Sequence, residues 1–328
     1  MADGKETTPS LLKVAAVQAE PVWLDLQGTV EKTCTLIAEA AAEGAKLVAF
    51  PECWIPGYPC WIWLRSIDFE LMPQYMKNSL KVDSPEMKKI CNVAAEHGIA
   101  VVLGYSENLN NSLYIGQAMI SATGELVMTR RKLKATHLER TVFGDANAAS
   151  LQNVKPLKLG DVEVKVGALS CWEHIQPLLK YSTYLQGEEI HVSAWPPLEP
   201  HPGGPALFGM SAEGCQCLSQ TYAAESAAFV IHSTAVVTDF GVERMKMHGS
   251  MMWSKPGGGA SMIIGPDGRV LTERLPPTEE GIVYADLELD SALRSKCFVD
   301  ACGHYSRPDL LWLGVDEREK LHKVVVKE

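Results

Sequence analysis

The 328-residue chain contains no run of roughly 18 apolar residues, so no membrane-spanning helix is expected from it. Its first ten residues, MADGKETTPS, lack the apolar stretch of a secretory signal. No lipidation or retention motif is found. Basic blocks are missing too: the densest cluster is Arg130, Arg131, Lys132 and Lys134, in a chain of net charge −10. A nucleic-acid partner is therefore not expected, because such proteins carry a basic face. The nine cysteines show no C-x-x-C spacing and are odd in number. They read as reduced thiols of a cytoplasmic protein rather than a disulfide framework. His201, Cys215, Cys217 and His232 follow no ligand pattern, so no metal is expected. Residues 255–259 (KPGGG) lack the order of a phosphate loop and read as a flexible turn. Repeats, low-complexity segments and interdomain linkers are also missing. The chain is expected to form one domain over residues 11–313, between a flexible N-terminus (1–10) and a charged tail (314–328).

What is present is an alternation of strand-like and helix-like segments. Residues 12–18 (LKVAAVQ), 46–50 (KLVAF) and 99–104 (IAVVLG) read as buried strands. Val30, Cys34, Ile37 and Ala41 recur at helical spacing, with Gly44 as a stop. Ser84 and Pro85 form an N-cap and first helical position, and Gly98 ends that helix. Residues 112–120 and 125–130 predict a hairpin, as do 260–264 and 270–272. Strands are expected over 162–170, 190–194 and 228–236, and helices over 175–186 and 211–226. The pattern predicts an α/β chain: a mixed-sheet sandwich with helices on its outer faces. Residues 196–205, rich in Pro and Gly, read as an active-site or surface loop.

Three segments can carry chemistry. In VGALSCWEH (166–174) a strand ends at Ser170, Cys171 follows and a helix begins soon after. Helix N-terminal amides favour thiolate over thiol, so a nucleophile fits there; a buried structural cysteine fits as well. In VAFPEC (48–53) a strand ends at Glu52. A partly buried carboxylate has its pKa raised towards neutrality, as a general base requires, although an ordinary loop glutamate fits the same pattern. RRKLKATHLERTVF (130–143) supplies a cation that can stabilise a developing anion, or else a solvated charged loop. Tyr58, Trp61, Trp63, Trp172 and Trp195 lie near these segments, as pocket walls or as core.

Together FPE (50–52), RRK with Glu139-Arg140, CWEH (171–174), HVSAWP (191–196) and GHYSRP (303–308) resemble the nitrilase family of carbon–nitrogen hydrolases. The resemblance runs from about residue 12 to 313. It implies a four-layer αββα sandwich and a catalytic set of Glu52, Lys132 and Cys171, with Glu139 as a second site glutamate. Lys134 is the competitor to Lys132, which directly follows the arginine pair. Trp172, Trp195, Tyr58 and His137 are expected to bind substrate. Cys-Trp-Glu looks like the nitrile- and cyanide-converting branch, and His174 resembles its nitrilases. The implied reaction converts an organic nitrile, an arylacetonitrile or similar, to carboxylic acid and ammonia through a cysteine thioimidate, without a cofactor. Cyanide hydration and amide hydrolysis are the alternatives. The resemblance also implies homo-oligomers, from dimers to spirals or filaments, with contacts near 193–205 and from 303 onward. Ala135 and the loop 144–148 depart from the family pattern in the segment bearing Glu139.

Overall fold

The computed structural model describes residues 11–318. The expected N-terminal segment 1–10 and most of the tail, 319–328, lie outside the described residues.

Strand β1 (Leu11–Ala19) shows how one sequence serves two layers. Its side chains alternate, with Leu12, Val14 and Ala16 entering one core and Ala15, Val17 and Ala19 the other. Helix α1 (Leu26–Ala42) is capped by the Asp25 side chain on Gly28 N and packs Val30, Ile37 and Ala40 onto the second set. Strand β2 (Leu47–Ala49), helix α2 (Leu71–Asn78), helix α3 (Pro85–His97), and strands β3 (Ala100–Leu109), β4 (Ser112–Ile120) and β5 (Leu126–Arg131) follow. As expected, Ser84 caps α3 and Gly98 closes it in the left-handed region. Strands β6 (Val154–Leu159) and β7 (Val162–Ser170), helix α4 (Pro177–Tyr184), strand β8 (Ile190–Ala194), helix α5 (Ala212–Ser226) and strand β9 (Phe229–Ala235) build the second half. Helix α6 (Asp239–Arg244), strands β10 (Met262–Ile264) and β11 (Gly281–Glu288), and helix α7 (Asp290–Phe298) complete the described elements.

The strands run in the order β5-β4-β3-β2-β1-β9-β8-β7-β6, with β11 beside β1 and β10 beside β9. Only Gln18↔Thr234 and Ala19↔Ala235 join β1 to β9, so the path folds into two facing sheets. Between them lies a core of Val14, Ala16, Ala49, Val102, Val166, Ala168, Val192 and Ile231. Helices α1 and α3 cover one outer face, while Tyr184 of α4 and Tyr222 of α5 cover the other. This is the α/β sandwich expected from the sequence.

Strands β2, β3 and β1 are parallel, as are β1, β9, β8 and β7. β5 runs the same way, through two antiparallel pairings across β4. The residues that follow β2, β5 and β7 therefore emerge at one edge, where crevices form outside strand carboxyl ends.

Two expectations change. The hairpin over 260–272 reduces to β10 and the single bridge Ile264↔Val270, because β10 spends its pairing on β9 and the Thr272 side chain accepts the Ile263 N–H. The helix expected from 175 starts at Pro177, after a 3-10 turn over Cys171–Ile175. Among the described residues, no helix is long and apolar enough to cross a membrane.

Candidate active site

Glu52 lies three residues past β2, Lys132 one past β5 and Cys171 one past β7. The Glu52 loop is anchored across the sandwich, its N–H donating to Trp195 O at 3.1 Å. It also presses on β3 at Gly104, where a Cβ would stand 2.0 Å from Pro51 O, so only glycine fits. Lys132 is 1% exposed and donates to Glu52 Oε1 and Glu139 Oε2, each at 2.8 Å. Glu139 sits in a 3-10 turn (His137–Thr141), where Oε2 also accepts from Thr136 N at 2.7 Å and Oε1 accepts from Tyr58 OH at 3.0 Å. The departures at Ala135 and 144–148 leave that turn intact. The Cys171 sulfur and carboxylate oxygens of Glu52 and Glu139 all lie within 4.8 Å of one another. Such a trio can ligate a metal, but the Lys132 ammonium already supplies the positive charge between its two carboxylates. Lys134 is elsewhere, exposed and paired with Asp145 at 2.5 Å.

A second ion pair fastens the lysine segment to the cysteine turn. Arg130 grips Glu173 bidentately at 2.7 and 2.8 Å with both side chains buried. Glu173 also accepts from Ser170 N and Leu133 N, each at 2.9 Å. Burial works against the Glu173 charge, yet the guanidinium and the two amides outweigh it and hold the carboxyl below its ordinary range. Cys171 itself adopts φ +51°, a left-handed conformation that costs a non-glycine residue of order 1–3 kcal/mol and points to functional strain.

Burial pushes the Cys171 thiol well above its ordinary range; Lys132 pulls it down, and the Glu52 and Glu139 charges raise it again. The expectation of a thiolate stabilised by helix amides is thus corrected. The turn at Cys171 is 3-10, and α4 begins only at Pro177. Burial thus disfavours the thiolate at Cys171, and attack by its sulfur calls for a base beside it. Burial, against the pull of Lys132, raises Glu52 from 4.5 to about 8, and its Oε2 is buried with no hydrogen-bond partner among the described residues. Burial also opposes the Lys132 charge, but its acidic neighbours Cys171, Glu139 and Glu52 hold the ammonium well above the usual lysine range.

A pocket of about 330 Å³ opens onto Cys171 and Glu139. Three of the four residues expected to contact substrate line it: Tyr58, His137 and Trp172. Trp195 does not. It is fully buried behind the site, stacked on His174 with its Nε1–H donated to Ser193 Oγ, and its carbonyl holds Glu52. Its neighbour Pro196 reaches the pocket instead, with Pro197 and Leu198 of the loop expected there. Trp63, stacked on His137 at 5.6 Å, and Trp253, edge-on to Trp63, complete the aromatic wall. Trp63 is one of the aromatics near the FPE motif. Trp253, Met210 and Met252 lie in segments with no chemical signal, and nothing local in the sequence marks them.

The chain belongs to the carbon-nitrogen hydrolase family, whose pattern matches residues 13–295. It is 60% identical to an arylacetonitrilase of Aspergillus kawachii over 95% of this chain and 94% of that protein. It is 62% identical to an arylacetonitrilase of Aspergillus niger over 96% of this chain and 91% of that protein. The fold matches an amidase of Nesterenkonia AN1 from the nitrilase superfamily, with TM-score 0.63, 19% identity, and coverage of 89% and 96%.

Proposed function

We propose that this nitrilase converts arylacetonitriles to carboxylic acids with Cys171 as nucleophile, Glu52 as base, Lys132 as anion stabiliser and Glu139 as the group that orients water. Hydrolysis of nitriles is the activity its full-length relatives support. The observation that carries the residue roles is the convergence of sulfur, two carboxylates and an ammonium in one buried cluster.

Glu52 Oε2 takes the thiol proton as sulfur bonds to the nitrile carbon. One C–N π pair moves to nitrogen, which takes up a proton to give a thioimidate. Lys132 offsets the charge that builds during addition. Water then adds with Glu52 as base and Glu139 directing it. Cleavage of C–N releases ammonia and leaves a thioester, which a second water hydrolyses to the acid. Cleavage of C–S instead releases amide. Aromatic and apolar walls of Trp63, Trp172, Trp253 and Leu198 suit an aryl group next to the reacting nitrile. The pocket is far larger than cyanide needs, which supports the aryl substrate.

The nine cysteines are all free, which supports a reducing, cytoplasmic setting. Residues 11–313 are read as one catalytic domain. Exposed Phe298, Tyr305, Leu311 and Trp312 support self-association into higher assemblies, which size-exclusion chromatography with electron microscopy tests. For the chemistry, Cys171→Ala is assayed on phenylacetonitrile, benzonitrile, fumaronitrile and cyanide, with intact-mass detection of adducts. Loss of turnover and adduct on the preferred nitrile is expected; wild-type turnover by the variant ends the proposal.

A further inference from the structure

Two histidines of the motifs, His174 and His191, take no part in the chemistry above, yet both are fully buried. They stand in a line of contacts that ends on the nucleophile. His174 Nδ1 lies 2.7 Å from Cys171 O, and His174 Nε2 lies 3.0 Å from His191 Nε2. His191 Nδ1 lies 2.7 Å from Glu188 Oε2, and Tyr222 OH donates to Glu188 Oε1. The His191 ring also stacks on Tyr222 at 3.8 Å. Room for Glu188 is made by Gly167, where a Cβ would fall 1.8 Å from Oε2.

The partners fix the protons. A carbonyl only accepts, so His174 carries its proton on Nδ1. Burial first, and the neighbouring His191 second, hold His174 well below the ordinary imidazole range, so its Nε2 is bare. The contact between the two Nε2 atoms needs one proton, and His191 must supply it. Beyond His191, the Glu188 contact is satisfied either by a carboxylate facing an imidazolium or by a carboxyl donating to a neutral ring. His191 Nε2 donates in both. The line therefore has one direction from His191 onward: His191 Nε2 donates to His174, and His174 Nδ1 donates to the Cys171 carbonyl.

Cys171 is the residue held at φ +51°. A strained residue persists only where its surroundings over-determine it. Arg130 and Glu173 fix the preceding amide, at Ser170, and the histidine line fixes the following carbonyl. We propose that Glu188, His191 and His174 are positioning residues that clamp the Cys171 carbonyl and thereby aim its sulfur at Glu52 and the substrate. The proposal rests on Cys171 being the nucleophile, which the alanine variant tests separately.

His191→Phe keeps a ring against Tyr222 but cannot donate to His174. His191→Gln places an amide N–H near the position of Nε2. Misplacement of a reacting atom by about 1 Å can cost about a hundredfold in rate. Accordingly His191→Phe is expected to lower kcat and the rate of Cys171 alkylation by iodoacetamide about a hundredfold, with KM within about twofold. His191→Gln is expected to recover at least about tenfold of that loss. Magic-angle-spinning NMR of 15N-histidine-labelled protein should show a His174 signal with protonated Nδ1 and bare Nε2, displaced in His191→Phe. Equal impairment of the Phe and Gln variants, unchanged kcat in the Phe variant, or a protonated His174 Nε2 in wild type each overturns the relay. If His191→Phe does not fold, Glu188 serves. Glu188→Gln can donate to His191 Nδ1, accept from Tyr222 and keep the direction, so it should stay within about threefold of wild-type kcat, whereas Glu188→Leu should not. Equal rates for these two variants also overturn it.

Discussion

Replacing Glu52 with glutamine separates the chemistry of the carboxyl from its burden on the fold. The substitution keeps the shape and removes the titrating group. Burial raises the Glu52 pKa from 4.5 to about 8 in the folded protein. Between those values the folded state keeps a proton that the unfolded chain has released. Wild-type stability must therefore fall as pH rises through this window and level off above it. At 1.36 kcal/mol per pH unit the fall attributable to Glu52 is at most roughly 5 kcal/mol. The glutamine variant has no such proton. Its amide oxygen can still accept from Lys132 Nζ, so the neutral contact persists at both ends of the range. Urea unfolding of both proteins at about pH 5 and pH 9, at one protomer concentration, should show the variant gaining several kcal/mol relative to wild type on the alkaline side. Its turnover of phenylacetonitrile should meanwhile fall by about 10²–10⁴. Parallel stability curves would refute the raised pKa, and turnover within a few-fold of wild type would refute the role as base.

Three further outcomes follow from the same geometry. Lys132→Gln should lose several orders of magnitude in kcat/KM while Lys134→Gln, altering a surface pair with Asp145, should change little; steady-state kinetics on both variants decides, and the reverse ranking would move the role to Lys134. Arg130→Gln leaves Glu173 buried without its partner and should cost about 3–5 kcal/mol in denaturant unfolding; a loss under about 1 kcal/mol would show that the pair does not tie the two segments. Trp63→Ala should raise KM for phenylacetonitrile about tenfold with a much smaller effect on a short aliphatic nitrile, measured side by side; an equal change for both would remove Trp63 from the aryl wall.

The alternation in β1 and the capped, glycine-stopped helix α3 were legible because apolar period and cap chemistry are local properties. Glu52, Lys132 and Cys171 were not legible in that way: local pattern left each open to an ordinary structural reading, and the resemblance to the nitrilase family singled out the three that the fold brings together. Strand β6 escaped notice because VKPLKL holds two lysines and a proline and reads as a loop. It can be a strand because it sits at the sheet edge beside β7 alone. Strand β11 pairs with β1 from the far end of the chain, and no local pattern specifies such a partner. The pocket wall was half legible. An aromatic side chain reports a need for burial and says nothing about which side it faces. Trp195 and Trp63 are alike by that measure, yet the first backs the site and the second fronts it.

The clustered groups come from both halves of the sandwich: carboxylates and ammonium ride on one sheet, sulfur on the other. The layer between them therefore acts as a caliper. Its jaws are set by small side chains, among them Ala16, Ala49, Ala100 and Ala168, which let the sheets close. A methyl or two added there prises the sheets apart and widens the gap between sulfur and base, many residues from either. On the proposed roles of those groups, core volume is expected to set rate as well as packing, and inactivating substitutions should map to that alanine seam without any contact to substrate.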